Sequence, residues 1–242
     1  MRDWQKEKEQ RVAFIRGMLA SSGAKGVVFG NSGGKDSALV AALSSFATDK
    51  VLGVIMPCAS KRNFGEDKED GLAVAKKYGI ETMIVDLTKV RSDLIEAVGA
   101  PLETKGALSN IAPRLRMTTL YAIGAERGYL VAGTGNKSER YMGYFTKWGD
   151  GACDFNPIAD LSATEVFDFL RFLGAPDHVV TKAPSAGLFE GQTDESEMGV
   201  TYAEIDAFLR GETISPEAEG IIKRYHKTSL HKMILPPTYE EK

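Results

Sequence analysis

Short apolar runs alternate with helical patterns through the first half of the chain. The runs are rich in Val, Ile, Leu or Phe and most are flanked by Gly, Pro, Asn or Asp, as is typical of buried strands. Strands that alternate with helices form parallel sheets with helices on both faces. The pattern therefore predicts an α/β fold, a Rossmann-like three-layer sandwich around a parallel sheet. The predicted strands cover 25–30, 51–57, 80–86 and 129–133, and the predicted helices cover 3–21, 37–46, 66–78 and 111–127.

The character of the chain changes after residue 133. Residues 135–160 and 181–200 are dense in Gly, Asp, Lys and Thr and are predicted to be loops, with a helix at 162–173 between them. Loops of this length are uncommon in compact domains unless they are functional or disordered. Because these loops carry specific polar residues, we expect them to be functional. The loops at 58–66 and 181–200 are rich in Gly, Ser and charge, which suits mobile lids over a site.

Composition narrows the class of protein. The chain has 242 residues, 43% of them hydrophobic and 26% charged, which suits one large α/β domain or two small ones. A net charge of -3 argues against a broad nucleic-acid surface. Two cysteines exclude a disulfide framework, and the charged N-terminus and the absence of long apolar runs argue against a signal peptide or membrane span. We therefore expect a cytoplasmic protein with no nucleic-acid or membrane partner.

The first candidate site is the segment 30–37 (GNSGGKDS), between a predicted strand and a predicted helix. Its glycines allow the backbone to approach an oxygen closely, and a helix N-terminus offers free N–H groups and a positive dipole end. Ser32, Lys35 and Ser37 add donors, and Asp36 can bind a divalent cation. The segment is therefore predicted to bind phosphate.

The same segment is similar in sequence to two better-known motifs. A Walker A loop requires Ser or Thr after Gly-Lys, whereas Asp36 follows Gly34 and Lys35 here. Residues 30–34 do match the nucleophile elbow G-x-S-x-G of serine hydrolases, and His226 or His231 could complete a triad. The hydrolase stays as an alternative, but it leaves the other polar segments unexplained.

A second polar segment, 133–139 (GTGNKSE), directly follows the fourth predicted strand. Ligands of open parallel sheets bind beyond the carboxyl ends of the strands, so this segment is expected to face the first one. Glu139 would then share a metal ion with Asp36, and Thr134 would contact a nucleotide. A turn stabilised only by local side-chain hydrogen bonds is the alternative reading.

The motifs resemble two nested groups of enzymes. Residues 32–37 (SGGKDS) resemble the pyrophosphatase loop of the adenine-nucleotide α-hydrolase-like group, whose members cleave ATP between the α- and β-phosphates. Residues 133–139 together with 143–157 (GYFTKWGDGACDFNP) resemble the ammonia-dependent NAD⁺ synthetases. The resemblance runs from about residue 10 to about residue 235. Agreeing pieces lie at 113–117 (PRLRM), 182–187 (KAPSAG), 191–195 (GQTDE) and 230–232 (LHK).

The resemblance implies amidation of deamido-NAD⁺ by ammonia, dependent on ATP and Mg²⁺, which gives NAD⁺, AMP and pyrophosphate through an adenylated intermediate. It implies Asp36, Glu139 and Asp154 as catalytic residues, with Mg²⁺ at Asp36 and Glu139; either Asp154 or Asp150 would deprotonate ammonium. It further implies ATP contacts from Gly30, Asn31, Ser32, Gly33, Gly34, Lys35, Asp36, Ser37, Thr134 and Ser185, and deamido-NAD⁺ contacts from Arg114, Lys147, Asp154, His231 and Lys232.

The family organisation is expected as well. The resemblance implies a single domain over 1–242, with no N-terminal glutamine amidohydrolase domain, so that free ammonia supplies the nitrogen. It implies a homodimer that binds deamido-NAD⁺ at its interface, and the helices at 3–21 and 111–127 are candidates for that surface. Other readings stay open: a tRNA-modifying thiolase, which would need a basic face or catalytic cysteines, and a nucleotide sensor without turnover.

One position departs from the family pattern. Ala163 stands where many relatives carry a lysine that reaches the ATP phosphates. Losing a charge-assisted contact costs about 1.5–3 kcal/mol. Lys35, at a position where many relatives have an apolar residue, is the candidate that supplies the charge instead. For three other residues an interpretation without a functional role stays open: Arg116 pairs with a neighbour on a helix face, Lys147 is solvated, and Cys153 is packed.

Overall fold

The computed structural model describes residues 2–60, 64–181 and 193–239, and these residues include a sheet of four parallel strands. The spatial order is β3-β2-β1-β4, with every pair parallel. The α/β fold expected from the alternating pattern is therefore confirmed. The strands are β1 (Gly26–Gly30), β2 (Val51–Ile55), β3 (Glu81–Ile84) and β4 (Tyr129–Val131).

Helices connect the strands and continue after the last one. In the described part of the chain no helix is long and apolar enough to cross a membrane. The helices are α1 (Trp4–Ser22), α2 (Lys35–Ala47), α3 (Glu66–Tyr78), α4 (Thr88–Val98), α5 (Lys105–Ser109), α6 (Ile111–Arg127), α7 (Lys137–Met142), α8 (Ala163–Phe172), α9 (Asp177–Thr181), α10 (Asp194–Met198), α11 (Tyr202–Leu209) and α12 (Pro216–Ser229), followed by a 3₁₀ turn at Leu230–Lys232.

Alternation along β1 divides the core into two layers. Val27 and Phe29 face one side, where they pack with residues of α1, α2 and α8, such as Ile15 and Phe169. Val28 faces the other side and packs against α6 and its neighbours. Since successive side chains of a strand point to opposite faces, a sheet covered on both sides needs apolar residues at every position. The continuous apolar run in β1 is that signature.

A third apolar cluster lies beyond the sheet. It joins α7, α10, α11 and α12 through buried side chains that include Met142, Met198, Tyr202 and Ile222. The sequence reading assigned no element to the region after residue 200. This cluster fixes α7, which begins just after the polar segment that follows β4.

The expected helices at 66–78 and 111–127 have the same bounds as α3 and α6 in the structure. The prediction of loops at 135–160 and 181–200 is partly wrong. The first contains α7 and the second contains α10. Both helices are short, so neither shows a hydrophobic repeat that a window of eleven or more residues could detect.

The strand order creates a switch point. The chain passes from β1 to β2 and β3 on one side, then returns to place β4 on the other side of β1. Because parallel strands all end at the same edge, the segments that follow β1 and β4 are neighbours in space. Ligands of open α/β sheets bind in the crevice at such a point.

Candidate functional site

A cavity of about 590 Å³ opens at the carboxyl edge of the sheet. The ends of β1, β2 and β4 form its floor, and the segments 30–37 and 133–139 line it together. The expectation that these two segments face each other across a single site is therefore met by the structure. The segment 143–151 and the 3₁₀ turn form the opposite wall.

Glycine shapes the first segment at one position in particular. Gly33 has φ +74°, and a Cβ atom there would lie 2.5 Å from the carbonyl oxygen of Asp67. Only glycine fits without displacing the α3 backbone. Gly34 then serves as the N-cap of α2 and has no side chain to cap the free N–H groups. The positive end of α2 is thus presented to the cavity, where it suits a phosphate.

Asn31 anchors this segment and leaves one acceptor unused. Its Nδ2 donates to the carbonyl oxygen of Gly71 at 2.8 Å, and the residue is 1% exposed. Its Oδ1 is buried without a hydrogen-bond partner in the protein. An unpaired buried acceptor is costly. Since Asn31 lines the cavity, a donor on a bound ligand can satisfy it.

The two predicted metal ligands are held together by a third residue, Asn136. Its side-chain amide donates to Oδ1 of Asp36 at 3.0 Å. Its backbone N–H donates to Oε2 of Glu139 at 2.9 Å, and its Oδ1 accepts from the Glu139 N–H at 3.0 Å. This reciprocal pair is the capping box that begins α7. Helix capping and carboxylate placement are therefore performed by the same atoms.

The carboxylate cluster is largely withdrawn from solvent: the side chains of Asp36 and Glu139 are 16% and 18% exposed. Burial, together with the charge of Asp36, raises the pKa of Glu139 well above its usual range. Burial alone would lower the pKa of Lys35, but the carboxylates of Asp36 and Glu139 outweigh it and raise that pKa. Asp194, which is 5% exposed, lies close by and accepts from the Tyr202 hydroxyl at 3.1 Å.

The donor set fits Mg²⁺. Asp36 and Glu139 offer carboxylate oxygens, the ligands that Mg²⁺ prefers. Throughout the described ranges, no group of three or more His, Cys, Asp or Glu side chains is arranged to hold a metal by itself. Mg²⁺ is commonly bound by one or two carboxylates plus substrate phosphates. Asp36 and Glu139 form such a carboxylate pair, and they lie beside a helix end that suits a phosphate.

The opposite wall carries Asp150 and Lys232, and Arg116 of α6 lies near them. Asp150 Oδ1 accepts from the Thr146 N–H at 2.9 Å, and its carboxyl lies near the charges of Arg116 and Lys232. Lys232 donates to the carbonyl oxygens of Gly143 and Phe145, at 2.8 and 2.9 Å. Burial lowers the pKa of Lys232. The cavity is therefore lined here by two basic side chains and one carboxyl.

Three of the predicted substrate residues form a strip beside the cavity. The Arg114 guanidinium donates to the carbonyl oxygen of Lys147 at 3.3 Å, and the Lys147 ammonium donates to the carbonyl oxygen of His231 at 2.5 Å. The strip brings together residues from α6, the 143–151 segment and the 3₁₀ turn. We call Arg114, Lys147 and His231 the basic strip.

Asp154 lies apart from these groups. Its Oδ2 accepts from the Val131 N–H at 2.7 Å and its Oδ1 from the Tyr121 hydroxyl at 3.2 Å. Both oxygens are thus occupied at the end of β4. Its predicted catalytic and substrate roles stay predictions, as does the ATP contact of Ser185, which lies outside the described residues. The predicted residues that line the cavity are Gly30, Asn31, Ser32, Gly34, Lys35, Asp36, Ser37, Thr134, Glu139, Asp150 and Lys232.

Sequence reasoning missed Asn136, Asp194 and Arg116 as site residues. Arg116 lines the cavity and donates to the Met56 carbonyl oxygen at 3.0 Å. Asn136 had a detectable signal: Asn followed three residues later by Glu is a capping-box pattern. Asp194 lies in the piece 191–195 (GQTDE) that resembles the family, but its local pattern does not show that it reaches the cavity.

The chain matches known proteins along nearly all of its length. The family model described as NAD synthase matches residues 7–235. The NH(3)-dependent NAD(+) synthetase of Carboxydothermus hydrogenoformans is 46% identical over 238 residues, which is 97% of each chain. Among solved structures, the NMN synthetase of Francisella tularensis has a TM-score of 0.95 at 35% identity, covering 100% of both chains. The NH3-dependent NAD synthetase of Campylobacter jejuni has a TM-score of 0.81 at 30% identity, covering 99% of this chain and 100% of that one.

Proposed function

The chain belongs to the NAD synthase family, and from this premise we propose that the cavity between β1 and β4 is where it converts a nicotinate carboxylate into an amide. The chain is a ligase that amidates deamido-NAD⁺ with ammonia, consuming ATP with Mg²⁺ and yielding NAD⁺, AMP and pyrophosphate. The observation that carries the site assignment is the convergence of Asp36 and Glu139 on Asn136 at the phosphate-binding end of α2.

The first half-reaction makes the carboxylate reactive. A carboxylate oxygen of the substrate attacks the α-phosphorus of ATP, and the bond to the β-phosphate oxygen breaks to release pyrophosphate. The α2 N-terminus, Ser32 and Ser37 bind the phosphates as charge moves onto the departing pyrophosphate. Asp36 and Glu139 would hold Mg²⁺ beside these phosphates, where the ion would supply positive charge to the departing pyrophosphate.

The second half-reaction forms the amide. Ammonia attacks the carbonyl carbon of the mixed anhydride, AMP leaves with its bonding electrons, and one proton is lost from nitrogen. Asp150 is the residue we assign to accept a proton from ammonium, because its carboxyl lines the cavity, whereas both oxygens of Asp154 are engaged in hydrogen bonds. Asp154, with both oxygens engaged, suits substrate positioning.

The proposal includes the homodimer and the cytoplasmic location expected from the family resemblance. α4 has no buried residue in the single chain, and Val90, Leu94 and Val98 form an exposed apolar stripe along it. α4 packs beside α6, one of the two helices expected at the interface, whereas α1 already packs on α2. We therefore place the dimer surface on α4 and α6, next to Asp154 and Tyr121.

Omission of single components tests the reaction. AMP, pyrophosphate and NAD⁺ are measured with ATP, Mg²⁺, deamido-NAD⁺ and ammonium, and again with each left out. AMP and NAD⁺ appearing together, only in the complete mixture, is the expected result. ATP binding without AMP would instead favour a nucleotide sensor, and AMP without NAD⁺ would indicate a different acceptor.

A second acceptor is favoured by one observation. The structure is more similar to the Francisella tularensis NMN synthetase, with a TM-score of 0.95, than to the Campylobacter jejuni NAD synthetase, with a TM-score of 0.81. The corresponding acceptor for this chain is nicotinate mononucleotide, which shares the reacting carboxylate but lacks the adenylyl half of deamido-NAD⁺. Comparing kcat/KM for the two acceptors decides between them. If deamido-NAD⁺ reaches the basic strip, Lys147→Ala lowers its kcat/KM more than that of the mononucleotide.

A further inference from the structure

Lys35 is a buried cation inside the carboxylate cluster. Its side chain is 4% exposed, and its Nζ lies 2.5 Å from Oδ2 of Asp36 and 4.0 Å from Oε1 of Glu139. The other oxygen of Asp36, Oδ1, is already bonded to Asn136. The ammonium therefore lies against the same pair of carboxylates that the proposed function assigns to Mg²⁺.

Aromatic rings close the space around this ammonium. The ring of Tyr202 lies 5.3 Å and that of Phe167 5.6 Å from Nζ. Both distances fall within the range of favourable cation–π contact. Tyr202 is itself buried and hydrogen-bonded to Asp194. The pocket is thus built to hold a cation in this position, rather than to let the lysine extend into water.

Charge balance explains why a cation is needed there. Asp36, Glu139 and Asp194 place carboxylates close together in a buried region, and like charges in such a region repel strongly. Lys35 offsets part of this repulsion while the cavity holds no nucleotide. A metal ion that approaches Asp36 and Glu139 meets the same ammonium, and the two cations repel each other.

We propose that Lys35 is a resident counter-cation that competes with free divalent metal for Asp36 and Glu139, so that metal binds well only together with nucleotide. When ATP enters, its phosphates offer the ammonium a new partner and bring the metal with them. Metal and nucleotide binding would then be coupled through one side chain. This inference rests on the proposed magnesium site.

Mn²⁺ binding, followed by the electron paramagnetic resonance signal of free Mn²⁺, tests the proposal without turnover. Lys35→Met keeps the length of the side chain and removes its charge. It is expected to bind Mn²⁺ without nucleotide at least tenfold more tightly than the wild type, and to bind ATP at least tenfold more weakly. Lys35→Arg, which retains the charge, is expected to bind free Mn²⁺ as weakly as the wild type.

Lys223→Met is the matched control, because the Lys223 side chain is 63% exposed and pairs with Glu219 on α12. It is expected to leave both affinities unchanged. Equal or weaker Mn²⁺ binding by Lys35→Met would overturn the proposal. If no Lys35 variant folds, the wild type alone decides: Mn²⁺ affinity must rise at least tenfold when α,β-methylene-ATP is added, and equal affinity without it contradicts the proposal.

The magnesium site itself is tested by adding Glu139→Gln to Lys35→Met. Loss of the gained Mn²⁺ affinity is expected if the metal binds at Glu139. A gain that persists in the double variant would mean that the metal lies elsewhere, which overturns the counter-cation role. The omission experiment on AMP and NAD⁺ reports on the reaction independently, so that its failure is distinguishable from failure of the metal test.

Discussion

The side-chain amide of Asn136 donates to Oδ1 of Asp36 at 3.0 Å, across 100 positions of sequence. The same residue caps α7 and bonds Glu139 through its backbone. The distance between the two carboxylates is thus set by a helix cap. Replacing a residue that orients metal ligands in this way commonly lowers activity or metal affinity by about 10- to 100-fold.

Asn136→Ala is therefore expected to lower the rate of NAD⁺ formation by about 10- to 100-fold and to raise the Mg²⁺ concentration needed for half-maximal rate. Initial rates across a Mg²⁺ series measure both effects. Asn156→Ala is the control, because Asn156 also lines the cavity but donates to the Gly135 carbonyl oxygen at 2.9 Å. Equal losses in the two variants would contradict the assigned role.

Gly143 at the end of α7 is expected to tolerate no side chain. It has φ +64°, and a Cβ atom would lie 2.1 Å from Cβ of Ser229 in α12. Gly143→Ala should lower the free energy of unfolding by about 2–4 kcal/mol, from left-handed backbone strain and overpacking. Urea unfolding measures the change. Gly220→Ala, in open space on α12, is expected to stabilise by about 0.5–1 kcal/mol; similar values for both would refute the clash.

The charged cluster at the start of α1 gives a pH prediction. Burial opposes ionisation of Asp160, but the hydrogen bonds and charge of Arg11, at 2.6 and 2.9 Å, outweigh it and hold the pKa of Asp160 below its usual value. A carboxyl with a lowered folded pKa stabilises the protein fully above its unfolded pKa of about 3.9 and loses that contribution as pH falls through the folded pKa.

Asp160→Asn is therefore expected to cost about 1 kcal/mol of unfolding free energy at pH 7, modest because the carboxylate is half exposed. The difference from the wild type should shrink below about pH 4. Unfolding curves at pH 7 and pH 3 measure it. Asp168→Asn, which removes the exposed pair with Arg171, should show a smaller cost, and a pH-independent effect of Asp160→Asn would argue against the linkage.

The exposed stripe on α4 predicts the oligomeric state. Leu94→Glu places a charge at the centre of the proposed interface and should shift the protein from dimer to monomer in size-exclusion chromatography with light scattering. Leu72→Glu is matched, since Leu72 is 40% and Leu94 42% exposed, and Leu72 lies on α3. A monomeric wild type, or a Leu94→Glu dimer, would remove α4 from the interface.

The sequence predicts most of the sheet and the first half of the site. Apolar runs locate the strands because each is buried on both faces, and the rule that parallel strands share a carboxyl edge brings 30–37 and 133–139 together. The sequence does not show that Asp194 reaches the cavity, because the position of Asp194 depends on the third core cluster, which has no local signal. Nor does it show that Lys35 turns inward toward Asp36, since the first residue of a helix is ordinarily solvated.

Pyrophosphate–ATP exchange tests most directly whether Asp36 and Glu139 form an adenylation site. Without ammonia, labelled pyrophosphate should enter ATP only when deamido-NAD⁺ and Mg²⁺ are both present, because the adenylated substrate can return to ATP. Glu139→Gln should abolish this exchange, while Glu126→Gln, at an exposed position of α6, should retain it. Exchange without an acceptor, or undiminished exchange in Glu139→Gln, would contradict adenylation at this pair.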